Sequence, residues 1–440
     1  MSEILTDSKL GSRFVILNRA KALNSLTLPM IHDIAKNLHE WERSESCNNI
    51  VIKSSNPKFY CAGGDVVSAA KKAAEKDSSV INYFRDEYSL NHALATVKKP
   101  TVAIISGVTM GGGVGISIHA PFRVATENTL LAMPETLIGF FPDVGASFYL
   151  PRLGFELGTY LGLTGYRLKG RDAFYAGFAT HYVPLERIPL LEARLQELNT
   201  SDLDATNAAI EEYVDEPEES FSYSLAPYMK SIKRCFRYNT VEEIIEALKQ
   251  EKTHTEWANT TIETLNSMSP SSLKITLELL RRGQTMSISE CFEMESQLAA
   301  KVTASHDFLE GISELLIKKT KQPKWKPASI GDLSKAQVIA EYFSNPIPEA
   351  QIKFTNTIDY KSYPNSRFAL PTDEDVRRAV IGEDKRSGGS ALSSGEIVEQ
   401  FVNWYNHKVG VREKVRHILD TNTVISSSSG DLGTVSWVEE

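Results

Sequence analysis

The run Thr101-Val-Ala-Ile-Ile-Ser-Gly-Val-Thr-Met-Gly-Gly-Gly-Val-Gly-Ile-Ser-Ile-His-Ala-Pro-Phe122 decides how the chain is read. From Pro100 to Phe122 it carries no charged residue and is long enough to suggest a membrane span. Its five glycines argue against one. Val102–Ile105 is a short β-rich run, Ser106 and Gly107 break it, and after the Gly111–Gly113 triplet the stretch Val114–His119 opens a helix. A strand, a glycine turn and a buried helix account for the apolarity without an anchor. No G-x-G-x-x-G can be written across Gly111–Gly115, so a dinucleotide-binding turn is excluded.

The same alternation extends outward. Phe122–Ala125 reads as a further strand, as do Phe14–Leu17 and Ile50–Ile52 upstream. Between these two, Thr27–Trp41 places Ile31, Ile34, Leu38 and Trp41 on one helical face, with Thr27 as cap and Pro29 in the first turn, where a missing amide costs little. Alternating β and α elements predict a layered α/β fold. Gly165–Gly170 has the spacing of a phosphate-binding loop, but Arg171-Asp172 stands where Lys and Ser/Thr are needed. That match is rejected.

At 440 residues the chain exceeds what one core usually holds, so a catalytic unit with appended segments is expected. The sequence divides into a core at 1–195, an acidic helix and linker at 196–225, a helical part at 226–346 and an appended extension at 347–440. The second of these begins in a stretch, Glu197–Glu219, with nine acidic residues and no Lys or Arg. Ser271–Arg282 and Ser289–Ala300 read as helices, Ser387–Ser394 as a Ser/Gly linker, Ile397–Leu419 as one helical stretch and Ser426–Gly430 as a flexible end.

A composition of 42% hydrophobic and 24% charged residues with mean hydropathy −0.23 excludes whole-chain disorder. The net charge of −8 gives no general reason to bind nucleic acid, so any anionic ligand must meet a local basic patch. Cys47, Cys61, Cys235 and Cys291 lack metal-ligand spacing and fit free thiols in a reducing compartment. Neither end reads as a targeting signal.

Two loops can aim backbone amides at one oxyanion: Tyr60-Cys61-Ala62-Gly63-Gly64-Asp65, and Met110–Gly115 at a helix start. Each alone could be a tight turn. The segment Met133–Gly145 sets two carboxylates, Glu135 and Asp143, among Leu, Ile and Phe, where carboxyls are rarely placed without a partner or a task. Burial would raise their pKa values and mutual proximity would split them. His119, in an apolar run before Pro121, reads as a packed or capping residue, and Cys61 as a small packed thiol.

Taken together, Asn18-Arg-Ala-Lys-Ala-Leu-Asn24, Ala62-Gly-Gly-Asp65, Met110-Gly-Gly-Gly113 and Pro134-Glu135 resemble the crotonase superfamily in order and spacing. More narrowly, Phe84-Arg-Asp-Glu-Tyr88, Thr109–Gly115, Ala132–Glu135, Phe141–Gly145 and Leu163–Gly170 are similar to the 3-hydroxyisobutyryl-CoA hydrolases, from about residue 9 to about 330. The resemblance implies a spiral of ββα turns followed by a mainly helical C-terminal region. It also implies an oxyanion hole from the Gly64 and Gly112 amides, Ala62 near the adenine of CoA, and Glu87, Gly112, Glu135 and Asp143 as substrate-binding or acting positions. His306-Asp307 matches a structural element of the family.

Hydratases of the superfamily carry a second glutamate two residues after the glycine triplet. Here that position is Gly115, while Asp143 stands where hydratases usually have glycine. Hydrolysis of 3-hydroxyisobutyryl-CoA in valine breakdown, with 3-hydroxypropionyl-CoA as a second substrate, is therefore the implied activity, and an enoyl-CoA hydratase or isomerase the alternative. No metal or redox cofactor is implied, since CoA belongs to the substrate. Arg19, Lys21, Lys58, Lys318, Lys319, Lys321 and Lys324 are candidate counter-charges for its phosphates.

Fungal members are similar to proteins of the mitochondrial ribosomal small subunit, which makes a structural role the reading from another class and the mitochondrion the expected location. Docking would then fall to the extension, through Arg377, Arg378, Lys385, Arg386, Lys408, Arg412, Lys414 and Arg416. Superfamily members form trimers and hexamers, so a homo-oligomer is a further partner the resemblance allows.

Overall fold

A computed structural model describes residues 2–217, 222–388, 391–426 and 433–438. The acids Glu218 and Glu219, the centre of the Ser/Gly linker and the Ser427–Gly430 stretch lie outside the described residues.

Ten strands build the first half of the chain: β1 (Ile4–Lys9), β2 (Ser12–Leu17), β3 (Asn49–Ser54), β4 (Phe59–Cys61), β5 (Thr101–Ile104), β6 (Val108–Met110), β7 (Phe122–Ala125), β8 (Leu130–Ala132), β9 (Leu168–Lys169) and β10 (His181–Tyr182). They form two sheets, one in the order β1-β2-β3-β5-β7-β10 and one in the order β4-β6-β8-β9. The chain visits them alternately. β3, β5 and β7 enter the large sheet in parallel, each is followed by β4, β6 or β8 in the small one, and a helical segment leads on to the next turn. This is a right-through repetition of one ββα unit. Polar side chains tie the corners together: Ser106 Oγ donates to the Pro57 carbonyl at 3.0 Å, and Thr126 Oγ1 to Ser106 Oγ at 3.1 Å.

Alternation along the strands divides the apolar residues between two faces. Phe14, Val51, Val102, Ile104, Phe122 and Val124 pack outward beneath Leu191 and Leu195 of the Ile188–Glu197 helix and Ala209 and Ile210 of the Leu203–Glu211 helix. Val15, Leu17, Ile50, Ile52, Ala103 and Ala125 face the main core. The helix of the acidic stretch is thus a cover for the outer face, and its Glu211 pairs with buried His181 of β10.

The expected helices form, with small shifts. Thr27 Oγ1 accepts from the Met30 amide to cap Leu28–Glu42, and the later pair spans Pro270–Gly283 and Ile288–Val302. The single stretch expected at Ile397–Leu419 is instead two helices, Ser394–Trp404 and Val411–Asn422. Asn406, His407 and Gly410 adopt positive φ between them, which no helix can carry through.

Residues after Pro346 share the main core. Ile397, Val398, Phe401, Val411, Val415, Ile418 and Leu419 join it, and buried Lys414 donates through Nζ to the Tyr175 carbonyl. On the outer face the Phe368 ring lies 4.9 Å from that of Phe122. Phe368→Ala should therefore cost about 3 kcal/mol of unfolding free energy, the order found for emptied aromatic core sites. A urea-denaturation midpoint unchanged from wild type would show that this segment rests on the sheet without completing it.

Candidate active site

The first glycine loop is held by the Asn18–Asn24 motif. Buried Asn24 accepts from the Arg19 amide and donates to the Tyr60 carbonyl at 2.9 Å, while the Leu26 amide donates to the Gly63 carbonyl and the Asp65 amide to that of Leu26. Arg19 is spent inside this lacing. It pairs with Glu3 and, at 2.9 Å, with Asp65, whose other oxygen caps the Val66–Ala74 helix. Lys21 and Lys58 remain exposed, as do Lys318, Lys319, Lys321 and Lys324, of which Lys318 pairs with Glu314.

The second loop turns at Gly111, with φ 46°, and Gly112 begins the helix Gly112–Ile118. As the first residue of a helix, Gly112 has an amide without a partner inside it. A Cβ on Gly112 would stand 3.2 Å from the Gly64 amide nitrogen and against Glu87 Oε1. The two loops therefore meet, with a carboxyl beside them. Ala62, half-buried, lies next to this junction and donates through its amide to the Leu23 carbonyl.

Glu135 starts a short 3-10 turn, Glu135–Ile138, and its Oε1 would lie 2.8 Å from a Cβ on Gly111. Asp143 follows in the next loop, and Glu87 comes from the centre of the Ser79–Thr96 helix. Their residual exposures are 7%, 5% and 2%. Asp143 Oδ2 accepts from the Tyr88 hydroxyl at 2.8 Å, whereas Glu87 Oε1 and Glu135 Oε2 are buried without a hydrogen-bond partner among the described residues.

Burial drives all three carboxyls upward, and charge on Asp143 raises the other two further. Asp143 is pushed up to about 7 by desolvation, with the Tyr88 hydrogen bond opposing the shift. Acid and base forms thus coexist near neutrality.

Gly115 has no room for the hydratase glutamate. A Cβ there would meet the Val144 Cβ at 2.6 Å and the Asn91 Nδ2 at 2.9 Å. The loop bearing Asp143 is pinned from two sides that the sequence did not disclose. Buried Glu295 accepts from the Gly145 amide at 2.6 Å and from the amide and hydroxyl of Ser147, although burial pushes its carboxyl up to about 8. His119 donates from Nε2 to the Val144 carbonyl at 2.9 Å and accepts at Nδ1 from the Tyr363 hydroxyl. Burial lowers it to about 4, which keeps the ring neutral for this pair of bonds.

Cys61 is buried with its thiol pushed up to about 12 by desolvation, so it offers no thiolate. Asp307 accepts from Ser269 and from the Lys326 amide and braces the turn at Gly139. Among the described residues no helix is long and apolar enough to cross a membrane.

Two sheets wound by ββα turns, with facing glycine loops and buried acids, define a crotonase-type protein, and the chain belongs to the enoyl-CoA hydratase/isomerase family, whose pattern matches residues 12–343. It is 34% identical to a carnitinyl-CoA dehydratase from Mycobacterium thermoresistibile, with a TM-score of 0.74 over 81% of this chain and 100% of that one. Relatives with the hydrolase's name lie nearer in sequence. The human mitochondrial 3-hydroxyisobutyryl-CoA hydrolase is 45% identical across 76% of this chain and 86% of its own length. A Neurospora crassa protein named small ribosomal subunit protein mS47 is 43% identical across 100% of this chain and 88% of its own.

A raised carboxyl pKa means that the folded protein binds protons the unfolded chain has released. Stability contributed by the neutral Asp143 is complete below about pH 4 and is lost as pH rises through about 7. Asp143→Asn, which keeps an acceptor for Tyr88, should therefore melt higher than wild type at pH 8, with the gap closing towards pH 4. A gap independent of pH would place the ionisation elsewhere.

Proposed function

We propose that the chain hydrolyses the thioester of 3-hydroxyisobutyryl-CoA, with 3-hydroxypropionyl-CoA as a second substrate, giving the free hydroxy acid and CoA in mitochondrial valine breakdown. One observation carries the choice of hydrolysis over hydration. Val144 and Asn91 fill the space where a second glutamate would follow the glycine triplet, while Asp143 adds an acid beside Glu135. The named mitochondrial relatives support the same substrate and location.

In this reading the amides of Gly64 and Gly112 donate to the thioester oxygen as it gains charge, which preorganised donors stabilise in a water-poor site. Glu135, ionised while Asp143 keeps its proton and so no longer opposes that charge, acts on the carbonyl carbon either directly, giving an anhydride that water opens, or through a water that it deprotonates. In both routes the C–S bond breaks and the CoA thiolate takes the proton of Asp143. Glu87 faces the 3-hydroxyl.

The test is CoA release from 3-hydroxyisobutyryl-CoA by the full chain, beside hydration of crotonyl-CoA. Wild type should release CoA without hydrating, and Glu135→Gln should lose at least 10³-fold in kcat, on the order expected for removing the nucleophile or base. Hydration without release would overturn the proposal.

A second reading rests on the segment after residue 346. The family pattern ends at residue 343 and the hydrolase relative covers 76% of this chain, but the relative named as a ribosomal protein matches throughout. We propose that this segment also attaches the chain to the small ribosomal subunit of the mitochondrion. Of the eight basic residues singled out in it, five are committed internally: Arg377 to Glu374, Arg386 to Asp384, Lys408 to Glu211, Arg412 to Glu399 and Lys414 to Tyr175. Arg378, Lys385 and Arg416 are exposed. The chain should co-sediment with small subunits in a salt-dependent manner and lose this on reversal of those three charges, whether or not Glu135 is intact. Its absence from small-subunit fractions would remove the second reading.

A further inference from the structure

The Ser79–Thr96 helix presents more than Glu87 to the site. Asn91, four residues on, occupies the same face one turn away and has 0% exposure. Both polar atoms of its carboxamide are buried without a hydrogen-bond partner among the described residues. A buried amide left in that condition costs free energy comparable to a lost hydrogen bond or more, so an unsatisfied group of this kind calls for a reason.

Its place suggests one. The Gly112–Ile118 helix lies against it with glycines at the contact, Gly112 opposite Glu87 Oε1 and Gly115 opposite Asn91 Nδ2. Tyr88, between the two on the long helix, hydrogen-bonds Asp143. Glu87 and Asn91 thus stand in sequence along a wall that starts at the oxyanion loop, and Glu87 Oε1 is itself unpartnered.

A hydroxyl group has one proton to give and lone pairs to fill, and one carboxyl oxygen satisfies only half of that. We propose that Asn91 is a specificity-determining residue whose carboxamide, with Glu87, encloses a hydroxyl on the acyl chain of the CoA ester. The inference rests on the acyl-CoA reading of the site and adds to it the residue that selects hydroxylated over plain acyl groups. Sites built to hydrogen-bond a hydroxyl reject the analogue lacking it far more strongly than apolar pockets discriminate by size, because the polar wall is then left unpaired.

Binding to ketone analogues, with a methylene in place of the thioester sulfur, separates this inference from turnover. Calorimetry would compare the 3-hydroxyisobutyryl and isobutyryl analogues on the full chain. Wild type should prefer the hydroxylated analogue, and Asn91→Leu, similar in shape but without polar atoms, should reduce that preference at least tenfold. Its melting temperature should equal or exceed that of wild type, since no protein partner is orphaned by the change. An unchanged preference, or a loss of affinity equal for both analogues, would overturn the role of Asn91. Failure of wild type to bind either analogue would instead strike the acyl-CoA reading, and tight binding without CoA release from the thioester would strike only hydrolysis.

Discussion

Three carboxyl groups withdrawn from water and set within Coulomb reach of one another are the constraint around which the rest is arranged. Glu87, Glu135 and Asp143 come from a helix, a 3-10 turn and a loop; Asp143 accepts from the Tyr88 hydroxyl, while Glu87 and Glu135 each keep a buried oxygen without a partner among the described residues. Left to itself, such a cluster would open towards solvent, because ionising any member in a low-dielectric site is expensive. It stays closed because the backbone that carries it is tied down elsewhere. Glu295 takes three hydrogen bonds from Gly145 and Ser147, and His119 clamps the Val144 carbonyl, so the loop bearing Asp143 has little freedom to swing outward. The site is a place where stability is given up for reactivity, and the scaffold has to supply the difference.

The second requirement is closeness. Amides can reach an oxyanion, and a long helix can bring two polar side chains beside them, only if nothing projects from the facing helix. Gly112 and Gly115 meet that condition, since a methyl group at either would collide with Glu87, Val144 or Asn91. The same glycines that looked like a turn signal in the sequence are therefore a packing surface. This explains how one position, Gly115, can both remove a hydratase acid and make room for a different wall.

Much of this was legible beforehand, and the rest was hidden for identifiable reasons. Periodicity disclosed β2, β3, β5 and β7 and the helix capped by Thr27, because each has a regular apolar pattern and a turn signal at its edge. The loops at Gly64 and Gly112 and the acids Glu135 and Asp143 stood out by chemistry. Glu87 entered only through resemblance, since a glutamate within Arg-Asp-Glu on a helix reads as a solvated face. Asn91 gave no signal for the same reason. Glu295 could have been found: it falls on the helical face of Phe292, Leu298 and Ala299, where an acid is out of place. Arg19 misled in the opposite sense, as a counter-charge for phosphate, when its partners are Glu3 and Asp65.

The part of the C-terminal segment before Ser394 was hardest to read, because residues such as Ile352, Phe368 and Leu370 enter the core singly from turns and short elements. Yet Tyr363 donates to His119, and His119 holds Val144, one residue from Asp143. Tyr360 and Tyr363 pack on Phe148 and the Arg152 guanidinium donates to the Lys361 carbonyl, so this strap is fastened at several points beside the stretch 145–152 that follows Asp143. The C-terminal segment is accordingly a structural support of the site as well as an outer surface. Any partner that grips its exposed face holds a region whose inner face sets the position of the loop bearing Asp143, and a partner that pulled the strap away would release His119 and, through Val144, the acid beside it. Two hydrogen bonds, Tyr363 to His119 and His119 to Val144, thus link the C-terminal segment to the loop bearing Asp143.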